Sequence, residues 1–438
     1  MTRTVRRPAA LAGLLAVLLA AACTERPMPG EAAPGSGTGA GSGTGSGSGG
    51  GAGTGTGGAE GPQPLTAREM QVLAASNAFG LELFRHVSAL ADGDNVLLSP
   101  LSVSMALAMM LNGASGSTFT DMARTLGFEG VPEAEINEAY GGLLSKLRGR
   151  DPKVQFHLAN SLWHERSFPI QQPFVDALRD HFKARVTALD FRDPAAPRAI
   201  NDWVSQATNG RIKDLIGRID PLEVLILVNA IYFKGPWATP FDPDATSPQP
   251  FTRADGSVVQ VPTMVADGSY ASYEADGVQA VELPYADGVY GMVLVAPAPG
   301  RSLDDVIARL SPESWRRWTS GLKRGRLMLY VPKFRFEFGY PLNRPLQDMG
   351  MAVAFDADRA DFSRINPQEE ELHISRVVHK TYIDVHELGT EAAGATTVVA
   401  GTTSAPPVMR FDRPFLVAIR ERESGTLLFI GRVGDPRA

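Results

Sequence analysis

Glu387-Leu-Gly-Thr-Glu-Ala-Ala-Gly-Ala-Thr-Thr-Val-Val-Ala-Gly-Thr-Thr-Ser404-Ala-Pro-Pro407 is the stretch on which the reading of this chain turns. It has an acidic start, then a run of tiny side chains, then small and β-branched residues. Ala, Gly and Thr impose almost no volume when slotted between existing strands, so such a segment can be exposed in one state and a strand in another. Ala and Gly favour strands poorly, which keeps the segment out of a sheet until something drives it in. Phe411-Asp-Arg-Pro-Phe-Leu-Val417 follows at once and reads as entry into a core strand. Taken alone, the window also fits a flexible Ala/Gly linker.

Outward from this window, the hydrophobic fraction of 44% with 8% aromatics provides for a substantial core. Val72, Ala75, Phe79, Leu83 and Val87 recur at three- and four-residue steps, which predicts an amphipathic helix. Ser99-Pro100 starts a second helix over Ser102 to Leu111, and Asn112-Gly113 stops it. Val224 to Phe233 is a mostly apolar run suited to a buried central strand. Leu327, Leu329 and Val331 alternate with Arg326, Met328 and Tyr330, and Leu427 to Val433 reads as a last strand. Helices crowd the first half and strands the second, which favours an α+β fold over a βαβ repeat.

These motifs, in this order, resemble those of the serpins. Asn77 to Phe84 is similar to the family's first helix, and Asn95 to Ala114 to its second helix and the segment before it. Leu227-Val-Asn-Ala-Ile-Tyr-Phe-Lys-Gly-Pro-Trp237 resembles the central strand and its following turn, Val377-Val-His-Lys380 the strand that feeds the loop, and Phe411 to Ile419 the C-terminal signature. The resemblance spans about Asn77 to Val433. It implies helices packed on a large mixed β-sheet, two smaller sheets and an exposed reactive-centre loop at about 387–410.

The resemblance also implies roles for particular residues. Ser99, Ser102, Asn229 and His379 match the shutter, a hydrogen-bonded cluster where strands must part. Trp237 and Glu387 match the breach where the loop enters, and Glu387 needs a cationic partner there. The hinge is Glu387, Gly389, Thr390, Glu391, Ala392, Ala393, Gly394 and Ala395. In inhibitory members the bait residue lies fourteen after the hinge Gly and eight before the signature Phe, and both counts from Gly389 and Phe411 reach Thr403. The reactive bond is then Thr403–Ser404, with Thr402–Thr403 as the neighbouring alternative. A protease nucleophile would form an acyl-enzyme there, and the freed segment would insert as a strand. Thr390, Ala392, Gly394 and Thr396 would turn inward together, none of them large or charged. Thr403 suits shallow pockets, so an elastase-like or subtilisin-like serine protease is the expected partner. A non-inhibitory binding or scaffold protein is the alternative.

An enzyme finds little support. His379 with Ser99 suggests a hydrolase pair, but no Gly-x-Ser-x-Gly elbow accompanies them. His386-Glu387 starts a zinc-protease motif, but residue 390 is Thr where the second His is required. The seven histidines show no other metal spacing, and no cofactor is expected.

The N-terminus is a different object. Arg3, Arg6 and Arg7 precede a run of fourteen apolar or small residues, Ala9 to Ala22, long enough for a secretory signal and short for a membrane span. Leu18-Leu-Ala-Ala-Ala-Cys23 resembles a bacterial lipoprotein cleavage site, though with Ala20 where Leu is usual. Arg6-Arg7 hints at twin-arginine export, but the hydrophobic partners of that motif are missing. Cys23 is the only cysteine, so no internal disulfide forms and the residue reads as a lipid attachment site. Fourteen of the 45 glycines lie between residues 31 and 60. Residues 24–64 thus form a tether with a reach on the order of 35 Å. The expected organisation is a signal peptide at 1–22, the anchored Cys23 and tether at 23–64, and one body at 65–438. Loss of the signal removes three arginines and no acid, taking the formal charge from −6 to −9. Such a chain offers no electrostatic case for nucleic acid. The expected protein is an exported monomer on a bacterial envelope or cell surface, touching membrane only through its lipid. Cys23→Ser is expected to release it from membranes with the body intact. Membrane fractionation and metabolic lipid labelling check this, and a Cys23→Ser chain still bound to membranes would refute the anchor.

Overall fold

Thr66 opens the first helix, Ala67–Leu90, with a capping box: its hydroxyl accepts from the Glu69 amide at 3.2 Å, while its own amide donates to the Glu69 carboxylate at 2.6 Å. The computed structural model describes residues 64–220, 222–368, 371–390 and 406–437. Ser99 caps the second helix, Pro100–Leu111, with proline in the first turn, where a missing N–H costs nothing. Every residue of that helix is buried, as befits a helix enclosed by other elements. Gly80 of the first helix lets the two approach: a Cβ there would lie 2.2 Å from the Pro100 Cβ.

Among the described residues the strands form two sheets, and helices dominate up to Ala207, as the α+β reading requires. One sheet has six strands, in the order Phe334–Pro341, Val378–His386, Gly389–Thr390, Leu225–Pro236, Gln155–Glu165 and Arg185–Leu189. It is mixed: the last pair is parallel and all other neighbours are antiparallel. The Pro100–Leu111 helix packs on one part of it. Helix Ala196–Ala207 packs its Ile200 and Val204 with Trp163, Ile226 and Val228 of the sheet in a second cluster.

The second sheet has nine strands, running from Val96–Leu98 through Leu427–Val433, Phe415–Glu421, Tyr290–Pro297, Val278–Pro284, Val258–Ala275 and Lys323–Pro332 to Val408–Arg410. Ser247–Thr252 pairs beside it on Val258–Ala275. The two smaller sheets expected from the sequence are continuous here. The 18-residue strand Val258–Ala275 carries Ser247–Thr252 on its first part and Val278–Pro284 on its last, so one backbone serves both. Phe415–Glu421 lies between Leu427–Val433 and Tyr290–Pro297, and most of its residues are buried.

Candidate functional site

In the six-stranded sheet, strands Leu225–Pro236 and Val378–His386 run in the same direction with a slot between them. Both are antiparallel to Gly389–Thr390, the two-residue strand that joins them. Gly389 stands opposite Pro236 and His386, and Thr390 opposite Gly235 and Val385. Among the described residues no other ladder joins the two strands. Gly389 has φ 147°, a value that side chains disfavour. Thr390 is only 3% exposed, and its hydroxyl lies 2.6 Å from the Tyr285 hydroxyl. Burial pushes the Tyr285 phenol far above its ordinary range, against a smaller opposing pull from Thr390, so the group stays neutral.

The two residues matched to the breach, Trp237 and Glu387, flank the mouth of this slot. Trp237 stacks on Tyr285 with ring centroids 4.6 Å apart, and its indole donates to the His386 carbonyl at 2.9 Å. The cationic partner that Glu387 requires is Lys333, 3.0 Å away, and Thr246 donates to the same carboxylate at 2.9 Å. Burial pushes this carboxyl up, but its backbone amide, Lys333 and Thr246 outweigh that and hold it below the usual carboxylate range.

The four residues matched to the shutter form one chain of hydrogen bonds. The Ser99 amide donates to His379 Nε2 at 3.0 Å, and the Ser102 amide donates to the Ser99 hydroxyl at 3.3 Å. The Ser102 hydroxyl donates to Asn229 Oδ1. The chain then continues through a residue that sequence reasoning missed: Asn229 Nδ2 donates to Asn160 Oδ1, and Asn160 Nδ2 donates to the Phe182 carbonyl at 2.8 Å. Asn160 and Asn229 are register partners on adjacent strands. The available signal was a polar residue in the otherwise core-like run Leu158-Ala-Asn-Ser-Leu-Trp163. Burial pushes His379 down to about 4, so its imidazole is neutral and Nε2 is free to accept. Ser99 and His379 are thus structural partners through a backbone amide, with no hydroxyl–imidazole contact of the kind a nucleophile needs.

Cys23, Glu391, Ala392, Ala393, Gly394, Ala395, Thr403 and Ser404 lie outside the described residues. Among the described residues no group of three or more His, Asp or Glu is placed to hold a metal ion, and no helix is long and apolar enough to cross a membrane.

A sheet with a slot, Gly389 and Thr390 at its mouth and a polar chain beneath it are the features of this site, and comparison with known proteins gives its family. Residues 74–436 match the family model described as serpin (serine protease inhibitor). The chain is 34% identical to antithrombin-III of Mus musculus over 86% of this chain and 84% of that one. It is 36% identical to corticosteroid-binding globulin of Saimiri sciureus, over 85% of this chain and 92% of that one. The crystal structure of the thermophilic serpin tengpin in its native state superposes with a TM-score of 0.78, at 30% identity, covering 85% of this chain and 95% of that one. The chain belongs to the serpin family.

The shutter geometry sets a pH dependence. His379 in the fold titrates at about 4, below its ordinary 6.5, so the unfolded chain takes up the proton first. Stability is therefore full above about 6.5 and falls as pH drops towards 4, by up to roughly 3 kcal/mol from this residue. His379→Gln keeps an acceptor without a titration. Thermal unfolding across this range should show a shallower loss for the variant than for the parent, and identical slopes would count against the assignment.

Proposed function

We propose that this chain is an inhibitory serpin. It would trap a serine protease as an acyl-enzyme at about Thr403–Ser404 and insert the cleaved segment into the six-stranded sheet. It would do so as an exported monomer held by a lipid on Cys23. The observation that carries this reading is the burial of Thr390 between strands that share no other described ladder. The slot already takes the first hinge residues, and their register can be continued. Six residues beyond Thr390, residue 396 would stand opposite Asn229 on one side and His379 on the other. The two shutter residues would thus flank a single small side chain, Thr396. Thirteen residues beyond Thr390, at about 3.3 Å each, would carry residue 403 on the order of 45 Å along the sheet. A protease attached there would travel with it.

An alternative reading, a non-inhibitory binding protein, is favoured by one observation: a similar relative is named for binding corticosteroid. The two readings part on thermal stability. Insertion of a new strand should raise it sharply after loop cleavage, whereas a binding protein that does not insert should gain little or nothing.

Incubation with elastase-like and subtilisin-like proteases is expected to give an SDS-stable complex. Clean turnover of the chain by all of them would sink the inhibitory reading. Thr390→Arg would place a cation in a site that is buried before cleavage, at a cost of several kcal/mol if unpaired. This variant is expected to be cleaved in the loop but to behave as a substrate, and undiminished complex formation would exclude insertion at this position.

The bait position has its own test. Thr403→Arg should redirect inhibition towards trypsin-like enzymes. Mass spectrometry of the C-terminal fragment released on denaturing the complex should show Ser404 at its start. A start at Thr403 moves the bond by one residue, and a start upstream of Thr397 rejects the count.

A further inference from the structure

Below the shutter, Glu223 and Arg376 close the far end of the slot. Glu223 precedes strand Leu225–Pro236 and Arg376 precedes strand Val378–His386, so each belongs to one wall. Arg376 Nε sits 2.7 Å from Glu223 Oε1, and Nη2 donates to Oε2 at 3.0 Å. The Glu223 carboxylate is 7% exposed and also accepts from the Asp220 amide at 2.9 Å, while Arg376 Nη2 donates to the Arg218 carbonyl at 3.1 Å. The ion pair therefore ties the linker after helix Ala196–Ala207 to the opposite wall. Asn201 fixes that linker to the helix: its amide donates to the Ile216 carbonyl at 2.7 Å, and its carbonyl accepts from the Leu215 and Ile216 amides. Between the ion pair and the shutter lies a cavity over helix Pro100–Leu111, bounded by Leu225, Leu227 and Asn229 on one wall and by Arg376, Val378 and His379 on the other.

The register set by Gly389–Thr390 places this pair on the path of an inserting strand. Nine residues beyond Thr390 the neighbours are Ile226 and Arg376, and twelve beyond they are Glu223 and His373. We propose that the Glu223–Arg376 ion pair is a latch across the far end of the slot, and that its opening limits completion of strand insertion. The proposal rests on the insertion reading above. Both residues are positioning residues: they would not touch the protease or the reacting bond. They hold the two walls and the helix linker together until the last residues of the strand arrive.

The test uses the full chain nicked in its loop by a non-target metalloprotease, with the gain in thermal stability followed over time. Glu223→Gln and Arg376→Met are each expected to reach the stabilised form about tenfold faster than the parent, the change that roughly 1.4 kcal/mol of lost fastening gives. The exchange Glu223→Arg with Arg376→Glu should restore the parental rate, which a general loosening of the fold would not do. If Arg376→Met fails to fold, Arg376→Lys keeps the charge but loses the two-pronged contact, and its rate should fall between those of the parent and Glu223→Gln. Single variants at the parental rate, or an exchange variant as fast as the singles, overturn the latch alone. A nicked parent that never gains stability overturns the insertion reading and the latch with it.

Discussion

Two parallel strands cannot share an antiparallel ladder, and among the described residues the strand that reconciles them is Gly389–Thr390. The geometry of Leu225–Pro236 and Val378–His386 suits an antiparallel neighbour along their length, and among the described residues Gly389 and Thr390 supply rungs of it. Each additional rung exchanges water-facing backbone groups for a ladder bond of roughly 1 kcal/mol net. On the insertion reading proposed above, a whole strand of such bonds would outweigh the handful of side-chain bonds that hold the walls in place. On that reading the present form of the sheet would be kept by access more than by preference.

What controls access changes in chemical character along the slot. At the mouth, Glu387 and Lys333 form an ion pair in which the lysine is substantially exposed, an arrangement that is adaptable and screened by salt. Midway, neutral amides, hydroxyls and an uncharged imidazole form a directional chain. At the far end a carboxylate buried to a similar degree meets a guanidinium. The fastening thus passes from an ion pair to a directional neutral chain, and then to a second ion pair. A strand zipping inward would meet these in sequence.

Sequence made some of this legible and hid the rest for physical reasons. The stretch from Glu387 onward is contiguous, so its composition and spacing are legible without the fold. Ser99-Pro100 is a local cap, and the helix it starts runs to Leu111 as its apolar pattern indicates. The strand at Leu427–Val433 has the bounds its hydrophobicity suggests. The central strand extends past Phe233 through Lys-Gly-Pro236, because pairing with Gly389 holds residues that carry no apolar signal. The partners were harder. Lys333 lies 54 residues before Glu387, and only the fold brings them together. Asn160 gave a faint sign, one amide in a core strand, whereas Tyr285 and the Glu223–Arg376 pair looked like ordinary residues until the walls of the slot were in place.

The course of the chain after the loop has its own consequence. Residues beyond 405 provide strand Val408–Arg410 at one end of the nine-stranded sheet and two strands in its interior, with Phe415, Leu416, Val417, Leu427 and Leu428 buried. Arg420 adds a contact to the buried Glu282 carboxylate at 2.8 Å. A break anywhere between 390 and 406 would therefore divide the polymer without dividing the particle. Mass and hydrodynamic size would be conserved, the short fragment would remain interlocked with the long one, and only a denaturant would reveal that the backbone had been cut.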